Sequence, residues 1–284
     1  MVAITEQSET KAGINYLKVL RITFVFFIAF VSFIPFLWIM LSAFKVRTDI
    51  MSPTLSFFFS PTLSNFVDAF VEGDFGIYLW NSTMVGVGTV ILCLVTGVPA
   101  AYAFSRFYVL GKKHLYFFVL TTRMAPAIAV ALPLYIVFKN LYLLGSIPGV
   151  ILAHATFTLA LVIYLMKGLF DEIPREIDQA SLVDGYSEWQ TFLYVILPIS
   201  RSSIAATGFL AFIFSWNEFL FALLLGGTDA RTLPAAFPGL VTPLGTYWGQ
   251  LCAAAFAVAI PVIILATLIQ KYLVKGLTLG AVKG

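Results

Sequence analysis

Residues 179–185 read Gln-Ala-Ser-Leu-Val-Asp-Gly, and after nine intervening residues positions 195–198 read Val-Ile-Leu-Pro. This polar stretch, which contains a turn residue, stands between apolar runs long enough to cross a membrane. Hydrophobic residues make up 60% of the 284-residue chain and charged residues 11%, whereas soluble domains are about 25% charged. The sequence therefore predicts one integral membrane domain over residues 1–284, with this stretch in a water-exposed loop.

The number of apolar runs predicts how often the chain crosses the bilayer. A helix needs roughly 20 apolar residues to span the hydrocarbon core. Six segments meet that length, and they occupy residues 22–44, 78–104, 115–138, 147–166, 204–225 and 251–269. The predicted fold class is an all-α polytopic membrane protein with six transmembrane helices.

The distribution of Lys and Arg predicts the orientation. Of the 17 Lys and Arg residues, twelve lie on the side that holds both termini and the loops around residues 105–114 and 167–203. Four lie on the other side, and Arg123 lies within a span. Positive residues accumulate on the cytoplasmic side of membrane proteins, so both termini and the polar loop are predicted to be cytoplasmic. The net charge of +3 therefore reflects orientation rather than nucleic-acid binding.

Local chemistry predicts two short helices within the loop at about residues 171–198. Pro174, with acidic neighbours, suits the first turn of a helix, and Gly185 can adopt the left-handed conformation that ends one. Ser187 and Gln190 have the spacing of a capping box and can start a second helix. Pro198 then marks the start of the fifth span. These residues alone are equally compatible with an amphipathic connector lying on the membrane.

The same stretch resembles the EAA loop of ATP-binding-cassette (ABC) importer permeases, whose pattern is E-A-A-x₃-G-x₉-I-x-L-P. Ala180, Gly185, Leu197 and Pro198 match the pattern. Gln179 stands where the family has glutamate and Ser181 where it has the second alanine, so the acidic group is expected from Glu176 or Asp178. Residues 215–220 (Ser-Trp-Asn-Glu-Phe-Leu) and the terminus 276–284 resemble carbohydrate-type members.

The resemblance implies a type I importer fold and a set of partners. These partners are a second six-span permease subunit, a dimeric cytoplasmic ATPase that binds ATP and Mg, and an extracytoplasmic solute-binding protein. It also implies a bacterial inner-membrane location and a sugar, polyol or oligosaccharide as solute. The residues expected to contact the ATPase are Glu176, Asp178, Gln179, Ala180, Ser181, Asp184, Gly185 and Pro198, together with Val282, Lys283 and Gly284 of the tail at about 271–284.

Polar residues within the apolar runs are the candidates for the substrate pathway. Ionisable groups at membrane depth are costly unless they are paired or face water, which singles out Arg123 and Glu218, together with the adjacent Asn217 and Trp216. The alternative is that Arg123 and Glu218 brace helix packing, or pair with each other or with a partner subunit. His154 is expected to form an interhelix hydrogen bond rather than to bind a ligand.

The loop at residues 226–249 is rich in Gly and Pro, with Arg231, Tyr247 and Trp248. Gly and Pro predict a non-helical course on the far side of the membrane. In the resembled family such a loop can enter an open solute-binding protein.

Missing motifs limit the function further. The chain has no G-x-x-x-x-G-K-[ST] phosphate-binding loop and no H-E-x-x-H or nucleophile-elbow motif. It is therefore expected to bind no ATP and to be no enzyme. Cys93 and Cys252 lie inside apolar runs, which predicts neither a disulfide nor a metal site. The remaining alternatives are an ion-coupled secondary transporter, an intramembrane enzyme and a scaffold without transport activity.

Overall fold

The computed structural model describes residues 16–54, 57–243 and 245–279, with side chains over 18–271 within those ranges. In chain order the helices are α1 (Tyr16–Ala43), α2 (Arg47–Ile50), α3 (Ser64–Val67), α4 (Phe75–Arg106), α5 (Lys112–Thr121), α6 (Ala127–Asn140), α7 (Ile147–Glu172), α8 (Arg175–Val183), α9 (Glu188–Thr191), α10 (Leu197–Ile199), α11 (Arg201–Trp216), α12 (Leu220–Leu225), α13 (Leu233–Ala236) and α14 (Trp248–Leu279). Two π-helical turns cover Asp68–Glu72 and Phe192–Ile196, and a 3₁₀ turn covers Phe237–Leu240. The strands β1 (Val241–Thr242) and β2 (Gly245–Thr246) pair antiparallel, with Val241 opposite Thr246.

Five helical runs among the described residues are long and apolar enough to cross a membrane. They are Lys18–Ala43, Phe75–Arg106, Ile147–Glu172, Glu188–Trp216 and Trp248–Lys271. The shorter apolar helix α6 is the sixth crossing segment. The prediction of an all-α protein with six crossing segments is confirmed.

Two predicted spans are broken, which the apolar runs did not indicate. The third, predicted as one helix over 115–138, stops at Thr121 and resumes at Ala127. Pro126 explains this break, because proline disfavours the helical conformation of the residue before it and donates no N–H. The fifth, predicted over 204–225, stops at Trp216 and resumes at Leu220. Both breaks lie within apolar segments whose hydropathy alone predicts a single continuous helix.

Helix α4 lies at the centre of the bundle and packs along α7 and α11. Glycines allow the close approach: a Cβ at Gly97 would lie 2.9 Å from Val162 Cγ1 on α7, and one at Gly86 would lie 2.9 Å from Phe212 Cε2 on α11. By contrast, α1 packs mainly on α14, and its apolar side chains are largely exposed. In a bilayer that exposed face contacts lipid or another subunit.

The loop at 226–249 is more ordered than predicted. A non-helical course was expected, but α13 and the 3₁₀ turn occupy residues 233–240, and the hairpin β1–β2 follows. Pro234 and Pro238 each stand in the first turn of a helix, where a missing N–H costs little. Leu233 is fully buried, whereas Val241 in the hairpin is 61% exposed. Most of the loop therefore packs onto the bundle, and the hairpin is its exposed tip.

Candidate functional site: the polar loop and the cavity between broken helices

The polar loop folds as its local chemistry predicts. Helix α8 begins directly after Pro174, which has an extended ψ of 135°. At its other end Gly185 has φ +92°. The Gly185 N–H donates to Leu182 O at 3.1 Å, and the Tyr186 N–H donates to Ser181 O at 3.1 Å. This pair of bonds is the Schellman pattern that ends helices at a glycine, so the predicted role of Gly185 is confirmed.

The second helix also begins as predicted, but it does not end before the fifth span. Ser187 Oγ accepts the Gln190 N–H at 3.3 Å, and Gln190 Oε1 accepts the Ser187 N–H at 2.8 Å, which confirms the capping box. The helical run then continues from Glu188 to Trp216. Pro198 therefore lies inside this run rather than at its start. A π-helical turn directly before it widens the helix, and such turns accompany local distortions of helices.

Asp178 faces the bundle. The Tyr102 hydroxyl donates to Asp178 Oδ1 at 2.6 Å, and Arg106 Nε lies 3.1 Å from Asp178 Oδ2, outside hydrogen-bond angles. The two charged side chains are only 8% and 14% exposed. Arg106 Nη2 also donates to Ile173 O at 2.8 Å, just before α8. Within this chain, Asp178 anchors α8 to α4; its expected contact with the ATPase stays a prediction.

Ser181 is also turned inward, and its neighbours explain a departure from the family pattern. Its side chain is 5% exposed, and its Oγ lies 2.9 Å from Thr191 Oγ1 on α9. A buried hydroxyl needs a hydrogen-bond partner, and Thr191 supplies one. The serine in place of alanine thus joins the two short helices and is not presented to a partner.

The outward surface of the loop contains residues that the sequence analysis missed. Glu176, Gln179, Ala180, Asp184 and Gly185 are exposed, and so is Pro198 in the following run. Beside them lies an exposed apolar tip, formed by Leu182 (43%), Val183 (86%) and Tyr186 (43%). Apolar residues on both sides of a helix-ending glycine in a water-facing loop were the available signal. They were overlooked because apolar residues in a helix are usually core residues.

The two broken helices meet at a cavity of about 200 Å³. Arg123 comes from the break between α5 and α6, and Glu218 from the break between α11 and α12. The cavity is lined by Arg123, Ala127, His154, Phe157, Thr158, Phe214, Ser215, Glu218 and Phe221. It therefore combines polar and charged groups with three aromatic rings, the mixture typical of small-molecule sites.

Glu218 is held by contacts inside this chain. Its carboxylate accepts the backbone N–H groups of Leu220, Phe221 and Ala222 at 2.9–3.2 Å, at the start of α12. Its Oε2 also lies 3.1 Å from His154 Nε2 on α7. Glu218 thus pairs with His154 rather than with Arg123, and much of its capacity to accept hydrogen bonds is already used.

His154 joins two helices, as expected. Its Nδ1 lies 2.8 Å from Ser215 Oγ on α11, and its side chain is buried. Arg123 behaves differently, because its guanidinium carbon lies 4.3 Å from the centre of the Phe214 ring. Arg123 forms no ion pair with any residue in the described part of the chain. Its donors therefore remain available to a ligand in the cavity.

The other two predicted pathway residues do not line this cavity. Asn217 is exposed at the break, and its Nδ2 donates to Ile213 O at 2.8 Å. Trp216 is 2% exposed, and its Nε1 donates to Val258 O on α14 at 3.2 Å. Trp216 is thus buried in the contact between α11 and α14. The predicted tail contacts Val282, Lys283 and Gly284 lie outside the described residues.

Glu218→Ala should destabilise the protein, because the restart of α12 loses its acceptor and His154 loses its partner. Leaving a buried hydrogen-bonding group without its partner costs about 1–3 kcal/mol. Asn217→Ala, at the adjacent exposed position, is the matched control and should have little effect. The fraction of each variant that stays monodisperse in detergent after heating measures the difference. Equal stability of the two variants would contradict this role for Glu218.

Comparisons with known proteins agree with this geometry. Residues 93–279 match the model of the family described as binding-protein-dependent transport system inner membrane component. A probable ABC transporter permease protein, y4oR of Sinorhizobium fredii, is 36% identical over 87% of this chain and 88% of its own. The trehalose transport system permease protein SugB of Mycobacterium tuberculosis is 35% identical over 78% and 82%, respectively.

A solved structure has the same fold. It is a bacterial ABC transporter involved in the import of the acidic polysaccharide alginate, and one of its chains aligns with a TM-score of 0.75 and 20% identity. The alignment covers 95% of this chain and 99% of that one. This likeness confirms the predicted importer-permease fold. The chain belongs to the family of binding-protein-dependent transport system inner membrane components.

Proposed function

We propose that this chain is one of two six-span permease subunits of a bacterial ATP-driven importer whose solute is a carbohydrate. The polar loop is the observation that carries the proposal. It matches the EAA pattern at Ala180, Gly185, Leu197 and Pro198. It folds into α8, a glycine turn and α9, and its apolar tip is exposed. Exposed apolar side chains in a water-facing turn are typical of a docking site for another protein.

The loop supports docking of a separate cytoplasmic ATPase. Because Asp178 and Ser181 are used to hold the loop together, the surface left for the ATPase is the apolar tip together with the exposed residues Glu176, Gln179, Ala180, Asp184, Gly185 and Pro198. Gln179 is uncharged, so this contact depends on shape and apolar burial more than on a salt bridge at that position. The terminal residues Val282, Lys283 and Gly284 would add a second contact with the ATPase.

The cavity supports a carbohydrate as the solute. The guanidinium of Arg123 and the hydroxyl of Thr158 can bind sugar hydroxyls, and the ring of Phe157 can pack against the apolar face of a sugar ring. The relative SugB is named for trehalose transport. A second permease subunit would complete the pathway, and a solute-binding protein would deliver the sugar from the far side.

In this scheme the free energy comes from ATP and Mg bound to the dimeric ATPase. Closure of that dimer would draw together the polar loops of the two permease subunits. A rigid-body rotation of this kind can switch a shared cavity between the two sides of the membrane. A partner favours one of the two states only if it binds that state more tightly than it binds the other state. The distribution of Lys and Arg supports cytoplasmic termini, and the family description supports a location in the inner membrane.

The energy source separates this proposal from ion-coupled transport. Proteoliposomes containing this chain, the second permease and the ATPase, supplied with the solute-binding protein, should take up one of a panel of labelled mono- and disaccharides. We expect uptake to require enclosed ATP and to persist when a protonophore is added. Uptake that continues without ATP and stops with the protonophore would overturn the proposal in favour of an ion-coupled transporter. ATP hydrolysis without uptake of any sugar would exclude a carbohydrate solute.

Gly185→Val should weaken ATPase docking. The residue has φ +92° and no non-neighbouring atom within 4 Å of the position a Cβ would take, so the change acts through the backbone alone. Such strain costs about 1–3 kcal/mol, and we expect ATPase copurification to fall by about 5-fold or more. Gly111→Val is the matched control, because Gly111 has φ +69° and equally open surroundings in the loop before α5. Equal copurification from both variants would contradict the docking role of the loop.

A further inference from the structure

Two adjoining cavities lie where α1 ends and α14 begins, on the side of the protein opposite the polar loop. The first holds about 190 Å³ and has several polar walls, and the second holds about 340 Å³ and is mainly apolar. Ile50, Met51 and Trp248 line both of them. We propose that the two cavities together bind one zwitterionic phospholipid of the leaflet on the far side of the membrane. Its headgroup occupies the polar cavity, and an acyl chain occupies the apolar cavity.

The polar cavity carries a positive and a negative group that do not neutralise each other. Arg47 of α2 and Asp68 of the first π-helical turn both line it. They form no ion pair with each other or with any other residue in the described part of the chain. The headgroup of phosphatidylethanolamine carries a phosphate and an ammonium on one short chain. The guanidinium of Arg47 suits the phosphate, and the carboxylate of Asp68 can accept hydrogen bonds from the ammonium.

A buried amide adds an acceptor to the same cavity. Asn65 is 8% exposed, and its Nδ2 donates to Ala43 O at 3.0 Å and to Lys45 O at 2.7 Å. Its Oδ1 accepts no hydrogen bond from the residues that the structure describes. A Cβ at Gly249 would collide with this oxygen, so the glycine leaves it uncovered. A buried acceptor needs a donor, and the ammonium of the headgroup supplies one.

The apolar cavity continues from the polar one into the membrane, between α1 and α14. Trp38 and Ser42 line it from α1, and Trp248 and Ala255 line it from α14. The seven residues from Trp248 to Ala255 correspond to about 10 Å along a helix, and the hydrocarbon of one leaflet is about 15 Å thick. An unfilled void would lose the dispersion contacts of its walls. An acyl chain is the apolar group that the bilayer supplies at this depth.

Aromatic residues set the level at which the two cavities meet. Tyr247 and Trp248 are 42% and 47% exposed, and Tyr and Trp are enriched at the depth of the lipid headgroups. The Trp38 wall of the apolar cavity is held by Lys45, whose Nζ lies 4.3 Å from the centre of the ring. The polar cavity therefore lies at headgroup depth, and the apolar cavity lies at the depth of the acyl chains.

The test measures which lipids stay bound to the full-length chain, purified with the subunits that accompany it. The protein is placed in nanodiscs of equal parts phosphatidylethanolamine and phosphatidylglycerol with identical acyl chains. It is then extracted and washed in mild detergent, and the retained lipids are quantified by mass spectrometry. Asp68 repels the anionic phosphatidylglycerol, so we expect phosphatidylethanolamine to be enriched over it by about 3-fold or more, as for one partly exposed charge pair.

Two variants test the headgroup contacts. Arg47→Gln should lower the retained phosphatidylethanolamine by about 3-fold, because the phosphate loses its charged partner. Asp68→Asn should bring the ratio of the two lipids close to one, because the ammonium loses its partner and the anionic lipid is no longer repelled. The control is Arg231→Gln, since Arg231 lies on the same side of the protein but lines neither cavity. It should keep the wild-type amount and ratio.

A third variant tests the acyl-chain contact. Ala255→Phe fills the apolar cavity and should lower the retention of both lipids. Ala259→Phe is the matched control, because Ala259 lies one turn further along α14 and lines neither cavity. It should retain as much lipid as the wild-type protein.

The other outcomes each overturn the proposal. Equal retention of the two lipids by the wild-type protein would contradict the headgroup assignment. Retention of no phospholipid would mean that another subunit covers α1 and α14. A loss in Arg47→Gln without a loss in Ala255→Phe would mean that the polar cavity binds a soluble phosphate compound rather than a lipid. Wild-type retention by both variants would mean that the lipid is bound elsewhere. None of these measurements requires ATP or solute, so they are independent of the proposed function.

Discussion

The buried contact of Asp178 with Arg106 and Tyr102 is the constraint on which the functional surface depends. Removing a carboxylate and a guanidinium from water costs several kcal/mol per ion, and the cost is offset only when both are held in good geometry. The Arg106–Asp178 contact itself is outside hydrogen-bond angles, and the hydrogen bonds come from the Tyr102 hydroxyl, which donates to Asp178, and the Ile173 carbonyl, which accepts from Arg106. The energetic penalty for separating the pair fixes α8 against α4, and the apolar tip at Leu182 and Val183 is presented as a result.

A second constraint is that backbone groups in a bilayer need partners within the protein. The two helix breaks meet this requirement with side chains. The hydroxyls of Thr121 and Thr122 donate to carbonyls in the last turn of α5. Glu218 accepts the N–H groups that start α12. Glu218, a candidate for substrate contact, is therefore partly required by the break, which leaves Arg123 as the cavity residue most available to a ligand.

The sequence predicted features that depend on neighbours along the chain. The capping box at Ser187 and the helix-ending Gly185 need only a few adjacent residues, and both form as expected. The expectation that the chain is a transport component rather than an enzyme is confirmed by its family. The six crossing segments followed from apolar length alone.

Features that depend on contacts between distant residues were not predictable in this way. That Asp178 faces inward depends on Tyr102 and Arg106, more than 70 residues away. The burial of Trp216 depends on α14, and the pairing of Glu218 with His154 depends on how α7 lies beside the break. Pro126 by itself predicts a helix break. The apolar residues on both sides of it, however, favoured the prediction of one continuous span.

A charge exchange tests most directly whether the Arg106–Asp178 contact presents the docking surface. The measurement is the amount of ATPase that copurifies with this chain carrying Arg106→Asp, Asp178→Arg or both changes, at equal abundance in the membrane. The account predicts that each single change loses most of the ATPase, because it places two like charges together, and that the combined change recovers a substantial part of it. Copurification at the wild-type level by either single variant, or no recovery in the combined variant, would contradict the account.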